Sequence, residues 1–409
     1  MSGRRAHVAG LSRADGSPGP RSRAFRDREG RGGVMRILHV IGAMDRGGAE
    51  TMIMNLYRSI DRSRVQFDFL VHEQRVCDYD EEIQDLGGAV YRALPRFTLL
   101  NYPTYRRRCH AFFSGHPEHA IVHGHIASSA AVYLREAKRQ GRVTIAHSHA
   151  QNYPVSVPEL GFRALAYPVR FIADQFLACS IEAGRDRFGK AVVEGDRFHV
   201  VKNAIDVDRY ANDPVSHERA KRALGYEGAP LIGHVGRFDP IKNHPYLIEV
   251  FSEVKRRIPD AKLLLVGRGP SEEEVRQAVR EARLEDDVVF FGVTDQVADV
   301  LKALDVFVFP SFSEGLSMAA VEAQAAGVPC VLSTGVPELA VIAPQHVVRL
   351  PLDAGSGVWA DAVEQAICDG AGRSEGAVAA RSNGYDISGT SGWLGAYYGE
   401  LLEDKARGA

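Results

Sequence analysis

The 409-residue sequence has little of what marks several common protein classes. Its five cysteines, Cys77, Cys109, Cys179, Cys330 and Cys368, are scattered without a Cys-x-x-Cys pair. That excludes a zinc knuckle or a disulfide framework and points to a reducing compartment. No apolar run is long enough to span a bilayer. Neither sign of charge dominates, since 50 Lys and Arg face 52 Asp and Glu. A nucleic-acid partner therefore has no electrostatic support. These absences lead us to expect a cytoplasmic protein, at the inner face of the plasma membrane if it meets a membrane at all. Residues 1–34 almost lack large apolar side chains and are rich in Arg, Gly and Ser. Such a stretch cannot offset the entropy of folding and is read as a disordered extension. Arg4-Arg5 is not followed by the apolar segment that a twin-arginine signal needs. Met35 directly precedes the first clean apolar run, so the simplest expectation is that translation starts there or that the extension is a dispensable tail.

What is present describes a globular chain of two or more domains, with 45% hydrophobic and 25% charged residues. From Met35 onward short apolar runs alternate with helical patterns, the signature of parallel sheets covered by helices. Strands are expected at 36–41, 67–71, 89–91, 121–123, 143–146, 175–178 and 199–201, giving a first doubly wound unit over 35–205. The pattern restarts at 231–235, 262–266, 288–291, 306–309 and 330–332, giving a second unit over 206–385. The expected fold class is α/β, two doubly wound Rossmann-like parallel-sheet domains facing across a cleft, where ligands of open α/β sheets bind. Trp393, Tyr397 and Leu401 follow Tyr385-Asp386 at helical spacing, so 386–409 reads as a terminal helix.

Several segments just after strands carry chemistry. In Phe309–Pro329, Glu314 falls on a loop and Glu322 in a helix over 318–326, with Ser317 as N-cap and Gly327 and Pro329 as the stop. A helix start offers N–H groups to an anion, and two carboxylates can accept hydrogen bonds from sugar hydroxyls. A sugar nucleotide would satisfy both; two solvated surface glutamates are the plain alternative. Gly236–Asn243 places Arg237 and Lys242 on a turn. Fixed cations there would stabilise a leaving diphosphate without a metal, or they are ordinary surface charges. Gly47-Gly48-Ala49-Glu50 opens a helix after the first strand, where paired glycines admit a ligand to the backbone. His123 and His125 follow one strand, and His147 and His149 the next. No Cys or acidic residue stands at a spacing that would complete a zinc site with them, so no metal is assigned. Gly267-Arg268-Gly269 fails as a dinucleotide fingerprint because Glu272 stands where the third glycine belongs. Asp206-Val207-Asp208 is a DxD triplet of the kind expected by chance in a chain this rich in Asp.

Taken together, these segments resemble the motifs of the retaining glycosyltransferases of family 4, in the two-domain GT-B superfamily. ILHVIGAMDRGGAE and HGHIASSAAVYL are most similar to exopolysaccharide-type members. The resemblance implies that Glu322 binds the ribose and Glu314 the transferred sugar, with Gly315, Leu316 and Ser317 lining the donor between them. Ser317 stands where many members carry proline. It implies that Gly236, Arg237 and Lys242 hold the diphosphate and that Gly47 and Gly48 approach it. Gly267, Gly269 and Gly292 would lie under the nucleotide. His147 corresponds to the active-site histidine that bonds the transferred sugar or acceptor. His125 and Glu50 would orient the acceptor, while His123 and His149 would serve structure. His147, Arg237, Lys242 and Glu314 form the implied catalytic set. Asn203–Asp206 would mark the interdomain boundary, with the terminal helix crossing back to the first domain. The expected reaction moves a hexose from a nucleoside-diphosphate sugar, a UDP-sugar, to a glycan or lipid-linked glycan, with retention, no metal and no further cofactor. Arg106-Arg107-Arg108, flanked by Tyr102, Tyr105, Phe112 and Phe113, reads as a peripheral contact for anionic membrane or as a charged helix face over its own core. The alternatives are an inactive nucleotide-sugar-binding regulator and a phosphorylase or epimerase of the same architecture. A phosphorylase would need a cofactor-lysine motif, which the sequence lacks.

Overall fold

A computed structural model describes residues 33–149, 157–370 and 372–408. Apart from Gly33 and Val34, the Arg- and Gly-rich extension lies outside the described residues. The chain divides into two compact units, one running up to Ala204 and resuming at Ile387, the other spanning Ile205–Asp386.

The first unit holds strands β1 Met35–Ile41, β2 Val65–Val71, β3 Val90–Tyr91, β4 His119–Gly124, β5 Val143–Ser148, β6 Gln175–Ala178 and β7 Phe198–Val200. All pair in parallel in the order β3-β2-β1-β4-β5-β6-β7. These strands are nearly continuous apolar runs because helices cover both faces. On one face Ile37, Phe67, Ile121 and Ile145 pack with helix Gly48–Ser59 and with Leu394, Tyr398 and Leu401 of the terminal helix Ile387–Gly408. On the other, Leu38, Val122 and Phe176 pack with Tyr105, Phe113, Tyr133 and Leu134 of helices Tyr102–Gly115 and Ala127–Arg139. Each such large side chain contributes about 1.5–3 kcal/mol on burial.

Within this apolar sheet one carboxylate, Asp68, is fully buried. Burial alone would raise its pKa, but His119 (2.8 Å), Arg36 Nε (2.6 Å) and the Ala89 N–H (2.8 Å) hold it down at about 2. Paired on three sides, it ties the starts of β1 and β4 to the middle of β2.

The second unit contains β8 Leu231–Val235, β9 Lys262–Val266, β10 Val288–Gly292, β11 Val306–Phe309, β12 Cys330–Ser333 and β13 Val347–Leu350. Their order is β10-β9-β8-β11-β12-β13, again all parallel. The strand β13 is additional to those expected. It is a short, partly exposed edge strand closed by Pro351, so it lacks a buried apolar run. Trp359, Leu247 and Phe251 cover one face of this sheet, and Ala320, Val321 and Tyr385 the other.

In helix Tyr102–Gly115 the inward positions are Tyr105, Cys109, Phe112 and Phe113, while Arg106, Arg107 and Arg108 are exposed. Of the four flanking aromatics only Tyr102 is exposed. Leu99 and Leu100, in the turn that precedes this helix, are also exposed, the latter by 97%. Among the described residues no helix is long and apolar enough to cross a membrane.

Candidate functional site

In the second unit the strand order reverses between β8 and β11, so the loops that leave these neighbouring strands turn to opposite sides and open a crevice. The loop after β8 is Gly236–Asn243, and the loop after β11 carries Glu314. They meet through the Phe312 N–H, which donates to the Ile241 carbonyl (2.8 Å). Lys242 Nζ donates to both Glu314 oxygens, at 2.7 and 2.9 Å. The ammonium also lies over the Phe309 ring, 4.7 Å from its centroid. This largely buried ion pair spans 72 residues of sequence. Arg237 is exposed and makes no ion pair among the described residues.

Glu322 lies in helix Met318–Ala325, partly exposed. Burial pushes its carboxyl up to about 7, against a hydrogen bond from Tyr210 and the charge of Arg209. Gly315 is exposed and Leu316 packs partly on the core. Ser317 occupies the N-cap position, but its hydroxyl makes no capping bond and is buried without a partner among the described residues. Gly236 donates its N–H to Val266 O, and Gly267 donates to the carbonyl of Gly292, which ends β10 (both 2.9 Å). A Cβ at Gly267, where φ is +137°, would strike the Gly236 carbonyl, and one at Gly269 the Phe238 carbonyl. Both glycines are thus required by the approach of the β8 and β9 loops.

In the first unit the reversal falls between β1 and β4. At the carboxyl ends of β1, β4 and β5 a cavity of about 310 Å³ is lined by Gly42, Glu50, His125, His147, His149 and Phe162, among others. Glu50 is in the first turn of helix Gly48–Ser59, with Gly47 as its extended N-cap and Gly48 as its first residue. Burial raises the Glu50 carboxyl, an effect opposed by a backbone hydrogen bond. Gly47 and Gly48 thus stand at a helix start beside this cavity, and Glu50, His125 and His147 share its wall.

His125 and His147 belong to a larger group. His39, His123 and His147 fall on the same alternating face as Ile37, Ile121 and Ile145, so their rings turn inward. His39 Nδ1 lies 2.9 Å from His125 Nε2, whose Nδ1 lies 2.7 Å from His149 Nε2. A second chain runs from the Tyr398 hydroxyl to His123 Nδ1 (2.7 Å), and from His123 Nε2 to His147 Nδ1 (3.1 Å). Burial depresses every one of these imidazoles, His39 to about 3, His149 to about 4, and the other three well below the ordinary value. All five are neutral at pH 7.

His39 and Tyr398 were not anticipated from the sequence. Inward alternation along β1 could have found His39, but Tyr398 stands 275 residues from its partner. Ring nitrogens of His39, His123 and His125, and of His125, His147 and His149, approach closely enough to hold an ion. The rings stack, however, with His147 and His149 centroids 4.2 Å apart at 29°. Several of these nitrogens also lie within hydrogen-bonding distance of one another, at 2.7 to 3.1 Å. Asp208 of the DxD triplet pairs with Arg381.

Residues 46–209 match the family model Glycosyltransferase Family 4, and residues 216–382 match Glycosyl transferases group 1. The chain is 36% identical over 343 residues to the putative glycosyltransferase EpsF of Bacillus subtilis (strain 168), across 82% of this chain and 88% of that one. It is 28% identical to a GDP-mannose-dependent alpha-(1-6)-phosphatidylinositol monomannoside mannosyltransferase of Mycolicibacterium smegmatis, across 64% of this chain and 70% of that one. Its fold is similar to that of Anabaena HepE in complex with UDP, with a TM-score of 0.72 at 19% identity, across 90% of this chain and 100% of that one.

The histidine group makes stability depend on pH. Below about 6.5 the unfolded chain takes up protons that the folded imidazoles refuse. Stability is therefore full above that pH and is lost as pH falls toward the depressed folded values. Each histidine adds a slope of up to about 1.4 kcal/mol per pH unit. Thermal unfolding should move steadily downward between pH 7 and pH 5, and His39→Gln should make that fall shallower. A profile that is flat over this range, or one unchanged by the substitution, would contradict burial of neutral rings.

Proposed function

This chain belongs to glycosyltransferase family 4, and from that premise we propose that it moves a hexose from a UDP-sugar to a hydroxyl acceptor with retention at the anomeric carbon. The acceptor in this reading is a glycan or lipid-linked glycan of the cell surface, of the exopolysaccharide kind. The observation that carries the donor assignment is the Lys242–Glu314 pair at the strand-order reversal of the second unit. A diphosphate competes with Glu314 for Lys242, and the released carboxylate is then free to accept hydrogen bonds from the sugar. Arg237 supplies a second, uncommitted cation. Glu322 takes the ribose hydroxyls.

As the glycosidic bond breaks, negative charge grows on the departing diphosphate, and Arg237 and Lys242 stabilise it there. Two fixed cations do the work that a divalent ion does in metal-dependent transfer. In this reading Glu314 is committed to the sugar hydroxyls once Lys242 turns to the diphosphate, so no carboxylate is assigned as the nucleophile of a double displacement. Retention then follows from front-face substitution. The acceptor oxygen bonds the anomeric carbon on the side the phosphate leaves, and a phosphate oxygen takes the acceptor proton. Uracil is chosen because Anabaena HepE was solved with UDP-glucose; the GDP-mannose dependence of the M. smegmatis relative names the competing base.

A thermal-shift screen over UDP-, GDP- and ADP-sugars should show stabilisation by UDP-sugars. NMR of the anomeric proton in the product should then show the donor's configuration. Stabilisation by GDP-sugars alone would replace the base, and an inverted anomeric signal would end the retaining mechanism.

Ribose recognition requires an ionised Glu322. With that carboxyl raised to about 7, donor affinity should be full at alkaline pH and weaken as pH falls through 7. Calorimetric titration with UDP should give a Kd about tenfold weaker at pH 6 than at pH 8. Glu322→Gln should flatten this dependence, and a wild-type Kd that does not change with pH would remove the role.

A lipid-linked acceptor would bring the enzyme to an anionic membrane. Exposed Arg107 and Arg108 beside Leu99 and Leu100 are the surface we assign to that contact. Reversing both charges to glutamate should abolish co-sedimentation with phosphatidylglycerol vesicles. Undiminished sedimentation of the double variant would discard this surface.

A further inference from the structure

The Tyr398–His123 chain ends on the ring read above as facing the sugar, and its proton positions can be worked out. Tyr398 is fully buried, and among the described residues its hydroxyl meets only His123 Nδ1. If the tyrosine oxygen accepted a hydrogen bond from Nδ1–H, its own O–H would be buried and unpaired, a loss of about 1–3 kcal/mol. The hydroxyl therefore donates. His123 Nδ1 is then an acceptor, and the single proton of this neutral ring sits on Nε2. His123 Nε2 in turn donates to His147 Nδ1, 3.1 Å away. That leaves the proton of His147 on Nε2, an atom with no partner among the described residues, on a ring that lines the cavity.

We propose that Tyr398 and His123 are positioning residues that hold His147 as an Nε2–H donor, so that it gives a hydrogen bond to an oxygen of the sugar or acceptor and does not act as a base. The inference rests on the reading of His147 as ligand-facing and deepens it. A histidine with a free Nε2 lone pair would accept a proton from a bound hydroxyl. One that presents N–H cannot. The chain thereby restricts the imidazole to orientation and to charge developing on oxygen. The terminal helix, far from the donor motifs in sequence, contributes the group that sets this state.

The test has two readouts. Long-range proton–nitrogen NMR of histidine-labelled enzyme, with the His147 signals identified from His147→Asn, reports the tautomer in the protein alone. Nε2 should be pyrrole-type and Nδ1 pyridine-type, and in Tyr398→Phe the signals should shift to a mixture of both tautomers. In sugar transfer Tyr398→Phe should lower kcat about five- to tenfold with donor KM within about twofold, the pattern of an interaction made in the transition state. His123→Gln, whose amide can still donate to His147 Nδ1, should keep most of the turnover. His123→Leu should behave as Tyr398→Phe does; this pair reads the proposal even if Tyr398→Phe folds poorly. A wild-type His147 protonated on Nδ1, or a tautomer unmoved by Tyr398→Phe, overturns the relay. A shifted tautomer with unchanged turnover overturns its part in the reaction. If the tautomers behave as stated but no UDP-sugar is used, the donor assignment fails and the relay stands.

Discussion

Both units depend on one constraint of parallel sheets, the single place where the strand order changes direction. Crossover connections leave neighbouring strands on opposite faces there, so backbone and side chains at the strand ends are left without a covering helix. In the second unit this place lies between β8 and β11 and receives Lys242, Arg237 and Glu314; in the first it lies between β1 and β4 and receives the GGAE turn and His125. The chemistry-bearing residues are distant in sequence and adjacent in space because the sheet has an edge on which only such loops can gather.

The two sites handle polarity in opposite ways. The second unit keeps full charges in its site and neutralises them locally, Lys242 against Glu314. The first holds five imidazoles neutral by taking them out of water and letting most of their nitrogens bond one another. Full charge suits a diphosphate. Neutral donors and acceptors suit a polyol, whose hydroxyls need direction more than field strength. The only deeply buried carboxylate of the first sheet, Asp68, is spent on its architecture, fastened to Arg36 and His119 at the opposite end of the strands from the cavity.

Much of this was legible in the sequence because parallel strands buried on both faces leave continuous apolar runs. Leu231–Val235 and Val306–Phe309 were readable to the residue. Strand β13 was not, since an edge strand with half-exposed side chains has no such run. Glu314 and Lys242 were legible as individual candidates, but their pairing depends on the β8–β11 adjacency, which local sequence does not encode. Tyr105, Phe112 and Phe113 were readable either as a membrane contact or as core beneath a charged helix face, and helical periodicity places them with Cys109 on the inward stripe and leaves the arginines outside. His123 read as structural; its two hydrogen bonds, to Tyr398 and to His147, link the terminal helix to a ring that lines the cavity.

The interrupted first unit has a consequence for synthesis. Its core includes Leu394, Tyr398 and Leu401, which pack with Ile53, Ile60 and Val65, but these residues follow the whole of Ile205–Asp386 in the chain. At roughly 5–20 residues per second a ribosome needs about 10–40 s to make the intervening segment. Throughout that interval the β1–β2 face and helix Gly48–Ser59 have no terminal helix to cover them, while the second unit can already close its own core. The part made first is therefore the part finished last, and the nascent chain carries an open apolar seam until its final helix emerges.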